Sequence, residues 1–123
     1  MAKILVVEDE RTLNEAYELV LKSEGHNVRV AYNGKEALGI FKEQNPDLVL
    51  LDLRMPQMDG VEFLKHLKPK ENKLKAKIII FSNYDDQKEI DSAFAHGATR
   101  YILKAWSSPK ELAKMVDETL KQK

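Results

Sequence analysis

Five side chains in this sequence carry groups that do chemistry when brought together: the carboxylates of Glu8, Asp9 and Asp52, the hydroxyl of Ser82 and the amine of Lys104. Asp52 raises the sharpest question, because it ends the apolar run in LVLLDLRMPQMDG, residues 48–60. An ionised carboxylate among Leu and Val is costly unless a partner compensates it. Three acids against one amine leave a net of two negative charges, which invites a cation. The ligand atoms are all oxygen, with no His or Cys cluster beside them, so a hard divalent ion such as Mg²⁺ is favoured over zinc. With that ion the local charge sums to zero, and the site can accept an anionic phosphoryl group. A carboxylate is a competent nucleophile for the transfer, and an aspartyl phosphate at Asp52 would replace one negative charge by about two.

For these groups to meet, distant parts of the chain must deliver them to one rim. Five apolar runs serve as strands: Ile4 to Val7, Val28 to Tyr32, Leu48 to Leu51, Ile78 to Phe81 and Tyr101 to Leu103. Each is followed by an amphipathic stretch, the rhythm of a parallel sheet covered on both faces. Pairs of the capping-box type mark the helix starts at Thr12/Glu15, Asn33/Glu36, Asp59/Glu62, Asp86/Glu89 and Ser108/Glu111. Pro109 suits a first helical position, and Gly25 and Gly97 suit helix ends. Lys68 to Lys77 reads as a polar loop.

Strands one, three and four are apolar throughout and so central, whereas strands two and five are mixed and so at the edges. Right-handed crossovers then give the order 2-1-3-4-5, a flavodoxin-like (βα)5 doubly wound α/β sheet. Ligands bind such sheets at the carboxyl ends of the strands, where the winding reverses. Glu8 and Asp9, Asp52, Ser82 and Lys104 follow or close four of the five strands on that rim.

The chain has 123 residues, 43% of them hydrophobic, enough for one core, and one domain over 1–123 is expected. Lys and Arg total 20, as do Asp and Glu, so no global positive field recruits nucleic acid or membrane directly. Cysteine is absent, which excludes a disulfide framework. No apolar run reaches membrane-spanning length, and a cytoplasmic protein is the expectation.

ILVVEDE, LVLLDLRMPQMDG, FSN and YILKA, in that order and spacing, resemble the response-regulator receiver domain over essentially the whole chain. The resemblance implies that Asp52 is the phosphoacceptor for a histidine kinase or histidine phosphotransfer protein. It implies Mg²⁺ held by Asp9, Asp52 and the backbone carbonyl of Arg54, with Glu8 acting through a water. Ser82 and Lys104 would bind the phosphoryl group, and Ser82 with Tyr101 would form the switch. The fourth helix, fifth strand and fifth helix would present the output surface to a downstream protein. The donor would dock near the first helix, with Thr12, Leu13, Asn14 and Tyr17 as contact positions. Such a chain is a switch with self-phosphorylation and self-dephosphorylation only, not an enzyme in the usual sense. Its end after the fifth helix has the look of a stand-alone receiver, although one cut from a longer regulator would look the same.

The chain departs from the family pattern at three places. Ala105 replaces the proline that usually follows the lysine in a cis peptide, which leaves the Lys104–Ala105 bond open between cis and trans. Asn83 stands where a small residue is common, Tyr84 follows it, and both would narrow the approach to Asp52. Arg54, two residues after the phosphoacceptor, occupies a position that tunes the lifetime of the acyl phosphate.

Other readings compete. A receiver-like scaffold that binds partners without phosphorylation draws support from Ala105 and Asn83, against the complete acidic site. An aspartyl-phosphate phosphatase would place an acid where Arg54 stands. Flavin binding needs a phosphate-cradling loop where the acidic EDERTLN lies. His26, His66 and His96 read as solvated surface, and Trp106 as a packing residue.

Overall fold

The computed structural model describes residues 2–68, 71–72, 74–83, 86–104 and 107–122. Five strands and five helices alternate: β1 (Lys3–Val7), α1 (Arg11–Ser23), β2 (Asn27–Ala31), α2 (Gly34–Gln44), β3 (Leu48–Leu51), α3 (Gly60–Leu67), β4 (Lys77–Ser82), α4 (Gln87–Ala95), β5 (Arg100–Leu103) and α5 (Pro109–Lys121). The strands form one parallel sheet in the order β2-β1-β3-β4-β5, as the distribution of apolar and mixed strands predicts. No helix among the described residues is long and apolar enough to cross a membrane.

The central strands are apolar at every position because both faces of the sheet are covered. On one face Leu5, Val7, Val49, Leu51, Ile78 and Ile80 pack with Ala37, Phe41, Phe63 and Leu64 from α2 and α3. On the other, Ile4, Val6, Leu48, Leu50, Ile79 and Phe81 meet Tyr17 and Leu21 of α1 and Leu112, Ala113 and Val116 of α5. Burial of each such aliphatic side chain stabilises the fold by roughly 1.5–3 kcal/mol. Alternating side chains along each strand therefore build two hydrophobic layers and also fix the register, since a slip of one residue would exchange the faces.

Four of the five expected helix caps form. Asn33, Asp59 and Ser108 accept the amides of Glu36, Glu62 and Glu111 at 2.8, 2.9 and 3.2 Å. Asp86 instead accepts from Lys88, two residues on, at 3.0 Å. Thr12 is not a cap. α1 begins two residues earlier than that cap implies, at Arg11 with Glu10 as its N-cap, and Glu10 makes no side-chain cap bond. The cause lies upstream: the Glu10 amide donates to Glu8 Oε2 at 3.0 Å, so a turn tied to the acidic cluster, not Thr12, launches the helix. At the far ends, Gly25 and Gly97 have φ of 91° and 113° and close α1 and α4 in Schellman geometry, with His26 N to Leu21 O and Ala98 N to Ala93 O as the long bonds. Between Leu67 and Lys77 the described residues carry no helix or strand, in line with the expected polar loop.

His26 corrects the reading of the three histidines as solvated surface. Its side chain is 8% exposed, its Nδ1 accepts the Ala2 amide at 3.1 Å, and its Nε2 lies 3.1 Å from Asp117 Oδ1 on α5. With Nδ1 an acceptor, the proton of the neutral ring is on Nε2 and is donated to Asp117. The ring thus pins α5 to the start of β1. His66 is exposed and His96 half-buried, each near a carbonyl of its own helix.

Gly60 opens α3 where the chain returns against β3. Its amide donates to Leu53 O at 2.9 Å, and a Cβ there would lie 2.5 Å from Asp52 O and 2.9 Å from Leu53 Cα. Both are backbone atoms and cannot rotate away. Gly60→Ala is therefore expected to lower stability by about 1–3 kcal/mol. Gly39 sits in α2 with nothing within 4 Å of the added carbon, and Gly39→Ala should raise stability by about 0.5–1 kcal/mol. Urea denaturation of both variants checks the opposite signs; a Gly60→Ala protein as stable as the parent would contradict the packing argument.

Candidate functional site

The sheet delivers the site residues through backbone bonds that run past the strand ends. Glu8 follows β1, and its amide donates to Ala31 O at 3.1 Å; Asp52 follows β3, and its amide donates to Val7 O at 3.0 Å. These two bonds set the two carboxylates side by side on the rim. Asn14 of α1 locks the same corner: its Nδ2 donates to Glu8 O and Ala31 O, both at 3.0 Å. Below the rim, Val6, Val7, Tyr17, Leu50 and Phe81 close the floor. Tyr17 and Phe81 meet edge-to-face with centroids 5.2 Å apart.

Lys104, just beyond β5, crosses to these carboxylates. Its Nζ donates to Glu8 Oε1 and, at 3.0 Å, to Asp52 Oδ2. The three side chains are 8% exposed or less, so the opening problem of a charge beside an apolar run is answered by a buried, shared ammonium. Asp9 is exposed beside them, and ligand oxygens of Glu8, Asp9 and Asp52 all lie within 4.8 Å of one another. An all-oxygen cluster with one open side fits a hard divalent cation.

Burial dominates the acid strengths. Desolvation pushes Glu8 up to about 7, against hydrogen bonds from Lys104 and the Glu10 amide, with the Asp52 charge adding to the rise. Asp52 is raised for the same first reason, while Lys104 and the Arg54 amide oppose it. Burial pulls the Lys104 ammonium down, but Glu8 and Asp52 outweigh it and hold the pKa above its ordinary value. Bound metal would reverse the balance at both carboxyls by favouring their ionised forms.

Of the remaining expected residues, Ser82 closes β4, fully buried and in register with Leu103. Tyr101 pairs with Ile80 on β5 and lies half-buried against the first hydrophobic layer. Asn83 is exposed just past β4. Arg54 turns its backbone toward Asp52, its amide donating to Oδ1 at 3.3 Å, while its guanidinium pairs with Glu89 at 2.7 Å. Tyr84, Ala105 and Trp106, and with Ala105 the question of the Lys104–Ala105 peptide, lie outside the described residues.

Asn14 and Tyr17 do not serve as docking contacts. Both are buried, at 0% and 3% exposure, whereas Thr12 is exposed and Leu13 half-exposed. The signal was present in the spacing: positions 14, 17 and 21 line the inward face of α1, and an amide on such a face is a structural hydrogen-bonding group. The pairing of Glu89 with Arg54 had no sequence signal, since Glu89 reads equally well as a first-turn acid of α4.

The raised carboxyl values fix a pH dependence. A carboxyl with a folded-state pKa above its unfolded value stabilises the fold below the unfolded value, and that contribution is lost as pH rises through the folded one. In EDTA, the parent protein should therefore lose stability relative to Glu8→Gln as pH rises from about 4.5 toward 7, the interval over which Glu8 is shifted. Urea midpoints across that range check it; parallel profiles for the two proteins would contradict the assigned burial effect.

Comparison with known proteins agrees with this geometry. The family described as "Response regulator receiver domain" matches residues 4–117. A probable transcriptional regulator, ycf27, of Porphyridium aerugineum is 36% identical over 120 residues, covering 98% of this chain and 48% of that protein. This chain thus spans about half the length of that relative. Among solved structures, a CheY-like receiver domain protein from Methanospirillum hungatei JF-1 superposes with a TM-score of 0.88 at 26% identity, covering 98% of this chain and 94% of that one. The signal receiver domain of the putative response regulator NarL from Mycobacterium tuberculosis gives 0.84 at 28% identity, covering 99% and 98%. With the strand order, the acidic cluster and the lysine already in place, the chain belongs to the response-regulator receiver domain family of two-component signalling.

Proposed function

We propose that Asp52 accepts a phosphoryl group from the phosphohistidine of a histidine kinase or phosphotransfer protein, with Mg²⁺ as the metal, and that the modification alters the α4–β5–α5 surface for a downstream protein. The observation that carries this reading is the buried Lys104 ammonium shared between Asp52 and Glu8, with Asp9 exposed beside them. Asp9, Asp52 and the Arg54 carbonyl would hold the ion, with Glu8 assisting through a water. Bound there, Mg²⁺ supplies positive charge to the oxygens of the incoming group.

In the transfer an Asp52 carboxylate oxygen forms a bond to phosphorus. The bond from phosphorus to the donor's imidazole nitrogen breaks, and its electron pair leaves with the ring. Lys104, already within reach of Asp52, pairs with the added negative charge, and the Ser82 hydroxyl donates to a phosphoryl oxygen. Ser82 moves toward the phosphoryl group as it donates, and Tyr101, on the neighbouring strand, follows it.

α4 is suited to respond, because it buries only Ala93 while each of the other helices buries three or four residues. A helix held by so little apolar contact shifts at low cost. On β5 and α5, Arg100, Tyr101, Leu103, Ser107 and Met115 border a groove of about 420 Å³ that a partner can occupy. The protein acts in the cytoplasm as a switch without catalytic turnover of other molecules, and the even charge balance of these 123 residues gives this domain no direct hold on nucleic acid.

Incubation with acetyl phosphate and Mg²⁺, followed by intact mass, tests the site without a cognate kinase. The protein should gain one phosphoryl group. Asp52→Asn or EDTA should abolish the gain, and Ser82→Ala should slow it by roughly 10²-fold. No gain in protein shown to bind Mg²⁺ would overturn the phosphoacceptor reading in favour of a phosphorylation-independent scaffold.

A further inference from the structure

Arg54 faces two neighbours at once. Its backbone amide donates to Asp52 Oδ1, while its Nε and Nη2 both donate to Glu89 Oε1, at 3.2 and 2.7 Å. Glu89 stands in the first turn of α4. The pair therefore bridges the β3–α3 connection and the least anchored helix of the fold. It borders a cleft of about 540 Å³ that Leu53, Met55, Val61 and Lys88 also line.

A guanidinium is a fork that suits a carboxylate and a phosphoryl group alike. The Arg54 side chain is 46% exposed and that of Glu89 31%, and an ion pair so open to water is weak enough to exchange partners. Glu89 keeps a favourable place for its charge without Arg54, because the first turn of a helix attracts anions. At the other end, phosphorylation would about double the negative charge on Asp52.

We infer that Glu89 is a positioning residue for Arg54: it holds the guanidinium on α4 while Asp52 is unmodified and yields it to the phosphoryl group once Asp52 is modified. The exchange removes a tether from α4 in the same event that charges the site. This inference rests on the phosphoacceptor reading and adds the residue through which that site reaches α4. By linkage, if phosphorylation draws Arg54 away from Glu89, then removing the Glu89 charge must favour occupation of the site by a phosphoryl-like anion to the same degree.

Calorimetric titration of the intact chain with the beryllium trifluoride anion in Mg²⁺, as a phosphoryl mimic, reads that coupling. Glu89→Gln should bind the mimic about two- to fivefold more tightly than the parent, the range of an exposed ion pair. Glu89→Asp should restore affinity close to that of the parent, and in an Arg54→Ala background Glu89→Gln should change nothing. Equal affinities for parent and Glu89→Gln, or the same gain with and without Arg54, would overturn the inference by reducing Glu89 to a helix-terminal acid. A parent protein that takes up neither the mimic nor a phosphoryl group from acetyl phosphate would overturn the phosphoacceptor reading itself, and the inference with it.

Discussion

The ammonium of Lys104, buried and shared by Glu8 and Asp52, is the contact on which the rest of the structure depends. Two carboxylates at the end of a hydrophobic sheet repel each other and lose hydration, and either effect alone disfavours their ionisation. One ammonium between them opposes both, and burial still leaves the two carboxyls raised. The residue that supplies it lies 96 positions from Glu8 and 52 from Asp52, so the charge balance closes only when β5 has taken its place beside β4. The site and the completed sheet are for this reason one structural event.

The two hydrophobic layers make that event possible. They hold β1, β3 and β4 in register, so that Glu8 and Asp52 fall just past β1 and β3, Ser82 closes β4 and Lys104 follows β5 on the same rim. Backbone contacts then refine the placement. Gly60 lets the chain return against Asp52 and Leu53, and Asn14 ties the ends of β1 and β2 together by donating to the Glu8 and Ala31 carbonyls. The scaffold is rigid where the carboxylates sit and loosely packed at α4, where only Ala93 is buried. Such a contrast suits a site whose charge changes and a surface that answers it.

Much of this was legible in the chain itself. The five strands, their order and the helix caps at Asn33, Asp59 and Ser108 follow from local chemistry: periodicity, short polar residues before helices, and apolar runs too complete for an edge position. Thr12 misled because the same local rule applied there, while the launch of α1 was decided by Glu8 accepting the Glu10 amide. Asn14, Tyr17 and His26 misled for a related reason, since polar groups read as surface unless the partner that buries them is visible. Their partners are the Glu8 and Ala31 carbonyls for Asn14, Phe81 for Tyr17, and Ala2 and Asp117 for His26.

The sequence by itself determined the elements, their order in the sheet and the identity of the acids and the lysine at the rim, because each is written in contiguous residues whose spacing has one structural meaning. Only the tertiary structure decided which charges meet. That Lys104 rests on both carboxylates, that burial raises Glu8 and Asp52, and that Arg54 turns its guanidinium to Glu89 instead of Asp52 all depend on distances across the fold. Electrostatic energy varies with separation and with exclusion of water, and neither quantity is defined until strands remote in sequence lie side by side.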